Sequence, residues 1–323
     1  MYVRVGDVRL YFDVDGSALV PDGPVMRERP TVVCLHGGPG LDHSVLRPAL
    51  SALADVAQVV YLDQRGHGRS DRSEPARWSL DQWADDLHGF CSSLGIERPV
   101  VLGTSFGGYV AMAYAVRFPD RLDKLVLLST SPRGTGNPDR RRNVFDGFER
   151  RGGPAAREAV RRAFDDRTPA AFAEYLRVCG PLYTRRPPHP DAGRRVVANK
   201  EMVPFFEAPG AEGVTFDLSA DLGRIRCPVL VVGGDDDPIT PPAEQRLIVE
   251  SLPAGLARFE ALPGCGHGIV QDEPARLMRL VSCGSSPSSW SRDDRIPPDR
   301  VPRTGALRPD PASVSLQQPI DWC

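Results

Sequence analysis

The chain has 323 residues, of which 41% are hydrophobic and 25% are charged, and its formal net charge is −2. These fractions are typical of soluble globular proteins and exclude a disordered or collagen-like chain. The near-neutral charge gives no reason to expect nucleic acid or an acidic membrane surface as a partner. At about 100–200 residues per domain, the length allows one large domain or two smaller ones.

Two residue types carry information about environment. Lys124 and Lys200 are the only lysines among the 40 basic residues. Such an arginine excess indicates either anion recognition or codon usage in a GC-rich genome, and the even spread of positions favours the latter.

The seven cysteines form no CxxC or Cys/His cluster, so we expect no metal site. Without a signal-peptide core or an apolar run of about 18 residues, we expect a cytoplasmic protein that does not cross a membrane.

Short apolar runs alternate with helical patterns through the first 130 residues. Residues 1–16 predict a β-hairpin that turns at Gly6 and Asp7. The apolar runs that follow are typical of strands buried on both faces. The predicted strands cover residues 31–35, 57–62, 99–103 and 124–128, and the predicted helices cover residues 45–54, 79–94 and 106–117.

Residues 131–220 break this alternation. They contain arginine-rich helical stretches, frequent Pro and Gly, and no apolar strand, and their 16 basic and 12 acidic residues give a charge of +4. The segment is too long for a simple connection, so we expect an inserted helical cap. Strands and helices then alternate again, over 228–233, 242–251, 256–260 and 273–281.

This order of elements predicts an α/β fold with a mostly parallel central sheet, helices on both faces and an inserted helical cap. The predicted core comprises residues 1–130 and 221–281, and the cap comprises residues 131–220. Residues 282–323 hold eight Ser and seven Pro without periodicity. Because they bury too little apolar surface to offset chain entropy, we expect a disordered tail, with a partner-binding segment as the alternative.

A candidate nucleophile lies in the sequence Gly103-Thr104-Ser105-Phe106-Gly107. It follows an apolar strand and precedes a helical pattern, which is the context of a G-x-S-x-G nucleophile elbow. Such a turn lifts the serine hydroxyl clear of the sheet, and close approach of strand and helix requires small residues on either side. The N-terminus of the helix stabilises developing negative charge. Ser105 is therefore the predicted nucleophile.

A serine nucleophile requires a general base and an acid that orients it. His267 follows the last predicted strand in PGCGHG, where small neighbours let the imidazole project from the loop. The acid is expected in GGDDDP, among Asp235, Asp236 and Asp237, because the other candidate location, 129–131, offers no carboxylate. For the oxyanion hole, the predicted donors are the amides of Phe106 and of Gly38 in HGGPG.

These motifs resemble the α/β-hydrolase superfamily, and within it the proline iminopeptidase-like serine hydrolases. The resemblance covers residues 1–280 and includes HGGPG at 36–40, DQRGHGRSD at 63–71 and GTSFGG at 103–108. It selects Asp237 as the acid, three residues after Gly234, and implies that Asp63 and Arg65 support the site. In two respects the chain departs from that group. Phe106 stands where those peptidases usually have Trp, and the cap is basic.

The resemblance also implies cap carboxylates that hold the free amino group of a substrate. Glu201 and Glu207 are the candidates, and a solvated acidic pair is the alternative. We expect a serine hydrolase that cleaves an amide or ester in a small molecule or short peptide, with an aminopeptidase narrowly preferred. The alternatives are an esterase or lactonase, an acyltransferase or cyclase on the same triad, and a ligand-binding protein without turnover. No HExxH, GxxxxGK or GxGxxG motif occurs, and this chemistry needs no cofactor.

Overall fold

The structure, a computed structural model, describes residues 1–283. The predicted tail lies outside the described residues from position 284 onward. Ten strands occur in the described part of the chain: β1 (Tyr2–Val5), β2 (Val8–Asp15), β3 (Leu19–Asp22), β4 (Val25–Glu28), β5 (Thr31–Leu35), β6 (Gln58–Leu62), β7 (Val100–Thr104), β8 (Lys124–Leu128), β9 (Val229–Gly234) and β10 (Ala257–Leu262).

Eight of these strands form one sheet in the order β1-β2-β6-β5-β7-β8-β9-β10. The six strands from β6 to β10 in that order run parallel, whereas β1 and β2 pair antiparallel at one edge. The predicted mostly parallel sheet is confirmed. Strands β3 and β4 form a separate hairpin that the sequence patterns did not predict, since all of its residues except Val20 are exposed.

The helices are α1 (Arg47–Leu50), α2 (Leu80–Ser93), α3 (Phe106–Arg117), α4 (Pro138–Asp166), α5 (Pro169–Cys179), α6 (Ala192–Arg195), α7 (Met202–Phe206), α8 (Glu212–Thr215), α9 (Pro242–Glu250), α10 (Ile269–Asp272) and α11 (Pro274–Cys283). Ser79 accepts a hydrogen bond from Gln82 N and so caps α2. The helix predicted over 45–54 is broken: α1 has a single turn between two 3₁₀ turns, and buried Leu50 and Leu53 have the spacing of a 3₁₀ turn.

Apolar side chains of the central strands alternate between two separate cores. In β5, Val33 and Leu35 pack into the core covered by α2 and α3. Val32 and Cys34 point to the opposite face, where residues of α1 and α11 cover them. Successive side chains of a strand point to opposite faces, so this pattern confirms the expected helices on both sides of the sheet. Among residues 1–283, none of the helices is both long enough and apolar enough to cross a membrane.

Helices α4 to α8 lie between β8 and β9, within the segment expected to form the cap. Helix α4 is interrupted at Gly153, whose φ of 74° and ψ of −169° are not helical. A third apolar core joins α4 to α5 around Phe148, Val160 and Tyr175. A Cβ atom added to Gly147 would lie 3.0 Å from Pro238 Cα, so α4 passes directly over the loop after β9. The domain boundaries at 131 and 220 stay a prediction.

Candidate active site

Ser105 is the one residue between the end of β7 and the start of α3. Its φ of 53° and ψ of −117° place a non-glycine residue in a region that costs about 1–3 kcal/mol. The backbone is fixed on the sheet side, since Ser105 N donates to Leu128 O at 2.9 Å. Thr130 Oγ1 donates to Ser105 O at 2.8 Å. The strained turn is therefore held by the neighbouring strand.

The glycines around Ser105 permit a close approach of strand and helix. A Cβ atom added to Gly103 would lie 2.4 Å from Gly107 O. One added to Gly107 would lie 2.2 Å from Leu35 O, at the end of β5. Both distances are far below van der Waals contact, so the predicted requirement for small residues has a direct steric basis.

Ser105, His267 and Asp237 form one continuous chain of hydrogen bonds. Ser105 Oγ lies 3.0 Å from His267 Nε2. On the other side of the ring, His267 Nδ1 lies 2.9 Å from Asp237 Oδ2 and 3.2 Å from Oδ1. With Nδ1 donating to the carboxylate, Nε2 is the acceptor for the serine hydroxyl. The three predicted catalytic residues therefore lie together, in the order that proton transfer from Ser105 requires.

Asp237 is fully buried, and its neighbours keep it ionised. Burial acts to raise the pKa of Asp237. The charge and hydrogen bond of His267 and the donors of Thr240 lower it, and together they outweigh burial, so the pKa lies below its ordinary value. The amides of Ile239 and Thr240 donate to Oδ1 at 2.8 and 2.9 Å. The Thr240 hydroxyl donates to Oδ2 at 2.7 Å. These donors fix both carboxylate oxygens.

The two neighbouring aspartates make different contacts. Asp235 accepts a hydrogen bond from Gly264 N at 2.8 Å and so supports the loop that carries His267. Asp236 pairs with Arg151 of α4 at 3.0 Å and also with Arg185. Each of the three aspartates thus has a distinct partner, and only the carboxylate of Asp237 bonds to the imidazole of His267.

The two predicted oxyanion donors belong to different segments, the start of α3 and the loop after β5. Phe106 N is the first amide of α3, and neither it nor Gly38 N donates to another group among residues 1–283. A Cβ atom added to Gly37 would lie 3.3 Å from Ser105 Cβ, so the HGGPG loop contacts the nucleophile through Gly37. Gly38 follows with a φ of 134°, which favours glycine. The roles of Phe106 and Gly38 stay predictions.

The side chain of Phe106 is buried in an aromatic cluster beneath the site. Its ring lies 5.0 Å from Trp83, 5.5 Å from Phe206 and 5.3 Å from His67, measured between centroids. Burial lowers the pKa of His67 to about 3, and the proximity of His36 contributes in the same direction. His36 and His67 are therefore buried, uncharged residues, and neither is a candidate for the general base.

Asp63 and Arg65 anchor the DQRGHGRSD loop. Asp63 accepts from His43 Nδ1 at 2.7 Å and from Arg69 N at 2.8 Å. Arg65 donates to Asp86 at 2.6 and 2.7 Å and pairs with Asp7. Asp42, His43 and Asp63 are close enough together to hold a metal ion. Their carboxylates, however, already accept hydrogen bonds from backbone amides and from Arg69, so the cluster has the bonding of a structural support.

The two predicted substrate-binding carboxylates lie in different surroundings. Glu201 is exposed at the start of α7. Glu207 lies at the end of α7, where its Oε2 accepts from the Thr135 hydroxyl at 2.6 Å and from Arg167 Nη1 at 3.4 Å. The structure does not bring the two carboxylates together in one hydrogen-bonded group, and the charge of Glu207 is balanced by Arg167.

Sequence reasoning missed two residues that bond to the candidate triad, Thr240 and Tyr183. Thr240 follows the acid by three residues, a spacing at which a hydroxyl can bond to an aspartate, so a local signal existed. Tyr183 contributes its backbone carbonyl, which accepts from His267 N at 2.6 Å. No residue pattern marks a backbone carbonyl, and the contact joins distant parts of the chain.

Comparison with known proteins gives a family and several relatives. The sequence model described as "alpha/beta hydrolase fold" matches residues 30–274. "Putative carbamate hydrolase RutD" of Caulobacter sp. (strain K31) is 30% identical over 83% of this chain and 95% of its own. Proline iminopeptidase PfmaB of Pestalotiopsis fici is 28% identical over 75% and 87%. An esterase structure from Thermogutta terrifontis is 26% identical, covers 87% of this chain and 96% of its own, and has a TM-score of 0.60.

Proposed function

The chain belongs to the α/β-hydrolase family, and we propose that it is a serine hydrolase that cleaves an amide or ester through an acyl-enzyme on Ser105. The observation that carries this proposal is the hydrogen-bonded chain from Ser105 Oγ through His267 to Asp237. A ligand-binding protein has no need of this arrangement. The relatives named as hydrolases support the same reaction class.

In the first half of the proposed reaction, Ser105 Oγ attacks the substrate carbonyl while His267 Nε2 takes its proton. Asp237 keeps the imidazole oriented and stabilises the imidazolium that forms. The negative charge on the carbonyl oxygen is held by the amides of Phe106 and Gly38, one at the N-terminus of α3 and one in the glycine-rich loop. His267 then gives its proton to the leaving amine or alcohol, which departs and leaves the acyl-enzyme.

In the second half, a water molecule attacks the acyl-enzyme and His267 takes one of its protons. Collapse of the second tetrahedral intermediate releases the acid, and His267 returns the proton to Ser105 Oγ. Every proton is carried by His267, so this scheme needs no cofactor. The helices over the site are proposed to form the substrate pocket, and the cytoplasmic location stays a prediction.

A fluorophosphonate probe tests the nucleophile directly. We expect the wild-type protein to be labelled at Ser105, as located by peptide mass analysis, and Ser105→Ala to remain unlabelled. Asp237→Asn leaves the serine in place but removes the orienting charge, so labelling should slow by about 10⁴-fold. Failure of the folded wild-type protein to react at Ser105 would refute the mechanism.

The substrate class depends on the charge around Glu207. An aminopeptidase needs an unpaired carboxylate for the ammonium group of its substrate, and the relative named proline iminopeptidase supports that assignment. Here Arg167 and Thr135 already occupy Glu207 Oε2. Of the two predicted carboxylates, only the exposed Glu201 then remains for an ammonium group. This favours a second candidate, an esterase or lactonase acting on an acyl group without a charged amine, and the esterase relative agrees with it.

A substrate panel separates the two candidates. Amino-acid arylamides, including that of proline, are compared with the same arylamides acetylated on nitrogen and with short acyl esters. An aminopeptidase cleaves the free-amine arylamides and rejects the acetylated ones. Ester turnover without arylamide cleavage would exclude the peptidase. For any active substrate, a product that lacks oxygen from labelled water would indicate acyl transfer or cyclisation on the same three residues.

A further inference from the structure

His267 and its loop lie against residues 183–184 of the cap segment, which we call the seat of His267. His267 N donates to Tyr183 O at 2.6 Å, and the Tyr183 ring meets the imidazole edge-on at 5.8 Å. A Cβ atom added to Gly266 would lie 2.3 Å from Tyr183 O. One added to Gly268 would lie 2.5 Å from Thr184 Cγ2. The loop around His267 thus packs directly against residues 183–184, and a side chain at Gly266 would collide with the backbone of Tyr183.

Asp272 forms hydrogen bonds to both of these segments. Its Oδ2 accepts from Gly266 N at 2.8 Å, in the loop that carries His267. Its Oδ1 accepts from the amides of Arg185 and Arg186 at 2.8 and 2.9 Å. A single buried carboxylate therefore links the histidine loop to the chain directly after Thr184.

Arg151 of α4 connects this seat to the acid loop. Its Nη1 donates to the backbone oxygen and to Oδ2 of Asp236, both at 3.0 Å. Its Nη2 donates to Thr184 O at 3.1 Å. One guanidinium group thus contacts the residue before the acid Asp237 and the residue after Tyr183, and only 6% of the side chain is exposed.

The guanidinium of Arg151 also interacts electrostatically with Asp237 and Asp272. Burial and the neighbouring Arg185 lower the pKa of Arg151, while Asp272 and Asp237 act in the opposite direction. The guanidinium therefore lies within electrostatic range of the acid itself. Buried ion pairs add little net stability compared with apolar packing, and their best-supported use is to select one geometry.

We propose that Arg151 is a positioning residue for the His267–Asp237 pair, because it holds the acid loop and the seat of His267 at a fixed separation. The cap segment then contributes to catalysis as well as to substrate binding. This inference rests on the proposed role of His267 as general base. Arg151 itself need not contact the substrate.

Arg151→Lys tests this role while it keeps the positive charge. A lysine ammonium cannot reproduce the planar fork that contacts Asp236 and Thr184 together. We expect kcat on the best ester of the panel to fall by about tenfold or more, because a small displacement of a catalytic group is costly, with KM nearly unchanged. Arg157→Lys is the matched control, since Arg157 lies on the same helix and pairs at the surface with Asp146 and Glu149. Wild-type kcat in Arg151→Lys would overturn the proposal.

Asp236→Asn provides a second variant and a double-mutant cycle. If Arg151 acts through Asp236, the double variant should lose less activity than the product of the two single losses. Independent, multiplicative losses would overturn the proposal. Asp236 also pairs with Arg185, so Arg185→Lys is measured beside it. Should Arg151→Lys fail to fold, a larger loss of kcat in Asp236→Asn than in Arg185→Lys provides the test, and equal kcat in these two variants would count against the proposal.

A spectroscopic signature tests the geometry without turnover. The proton on His267 Nδ1, bonded to Asp237, should give a far-downfield proton NMR resonance that is absent from His267→Gln. We expect the resonance in wild type and in Arg157→Lys, and we expect it shifted or broadened in Arg151→Lys. An unchanged resonance in Arg151→Lys would overturn the positioning role. If the fluorophosphonate probe fails while the resonance responds, the proposed function fails and the positioning role stands.

Discussion

Asp237 shows how a buried carboxylate can remain charged beside a histidine. Two backbone amides and the Thr240 hydroxyl donate to it, and His267 bonds on its remaining side. Hydrogen bonds to the charged form offset the cost of removing that form from water. The charge available to stabilise an imidazolium at His267 thus depends on Thr240, which itself makes no contact with Ser105.

Thr240→Val removes the hydroxyl donor at nearly constant volume. A hydrogen bond to a charged group contributes about 1.5–3 kcal/mol, so we expect kcat to fall by about tenfold, while Thr240→Ser retains most of it. The pKa of Asp237 should rise in the valine variant. The lowered pKa contributes stability that is lost between the unfolded value of about 3.9 and the lower folded value. A higher folded pKa narrows this interval, so the acid loss of stability should be smaller in Thr240→Val and complete at a higher pH.

Steady-state kinetics at neutral pH and urea unfolding between about pH 3 and pH 6 measure the two effects. The serine variant is the control in both experiments. Equal kcat values in Thr240→Val and Thr240→Ser would show that the hydroxyl does not support Asp237.

At the scale of elements, β7 and α3 meet so closely that no side chain fits at their contact. Gly103 approaches the backbone of Gly107, and Gly107 approaches the end of β5. Helix α3 therefore begins directly above the sheet, with its N-terminus beneath Ser105. This packing, rather than Ser105 alone, determines where the nucleophile lies.

Gly107→Ala should separate α3 from β5, because the new methyl group would lie 2.2 Å from Leu35 O. Overpacking of this kind costs about 1–3 kcal/mol, and the backbone oxygen cannot move without disturbing the sheet. Urea unfolding measures the loss, and the fluorophosphonate labelling rate reports the displacement of Ser105. Gly180→Ala is the control, since a Cβ atom there meets nothing within 4 Å and φ is −52°. Equal stability of the two variants would contradict this steric argument.

At the scale of the whole molecule, the sequence predicted what local patterns encode. Apolar runs located the parallel strands within one or two residues, and glycine spacing located Ser105 and the loops of Asp237 and His267. The β3–β4 hairpin was missed because its side chains are mostly exposed and lack an apolar alternation. The seat of His267 was missed because Tyr183 contributes a backbone carbonyl and Arg151 acts across the fold. Contacts of this kind depend on the tertiary arrangement, which no local pattern contains.

Burial of uncharged histidines gives the whole molecule a pH dependence. His67 Nδ1 bonds to Arg65 O at 2.8 Å as the donor, and its pKa is lowered to about 3 by burial and by His36. The unfolded chain binds this proton near pH 6.5. Between these values the unfolded state therefore holds more protons, so the free energy of unfolding must fall as pH falls from about 6.5 towards 3.

His67→Phe keeps a ring in the aromatic cluster and removes the titration. The slope of unfolding free energy against pH, measured in urea between about pH 4 and pH 6, should fall by up to 1.4 kcal/mol per pH unit, which corresponds to one proton. Stability at pH 8 should also drop, because the hydrogen bond to Arg65 O is lost. A slope in His67→Phe equal to that of the wild type would show that His67 does not remain neutral in the folded protein.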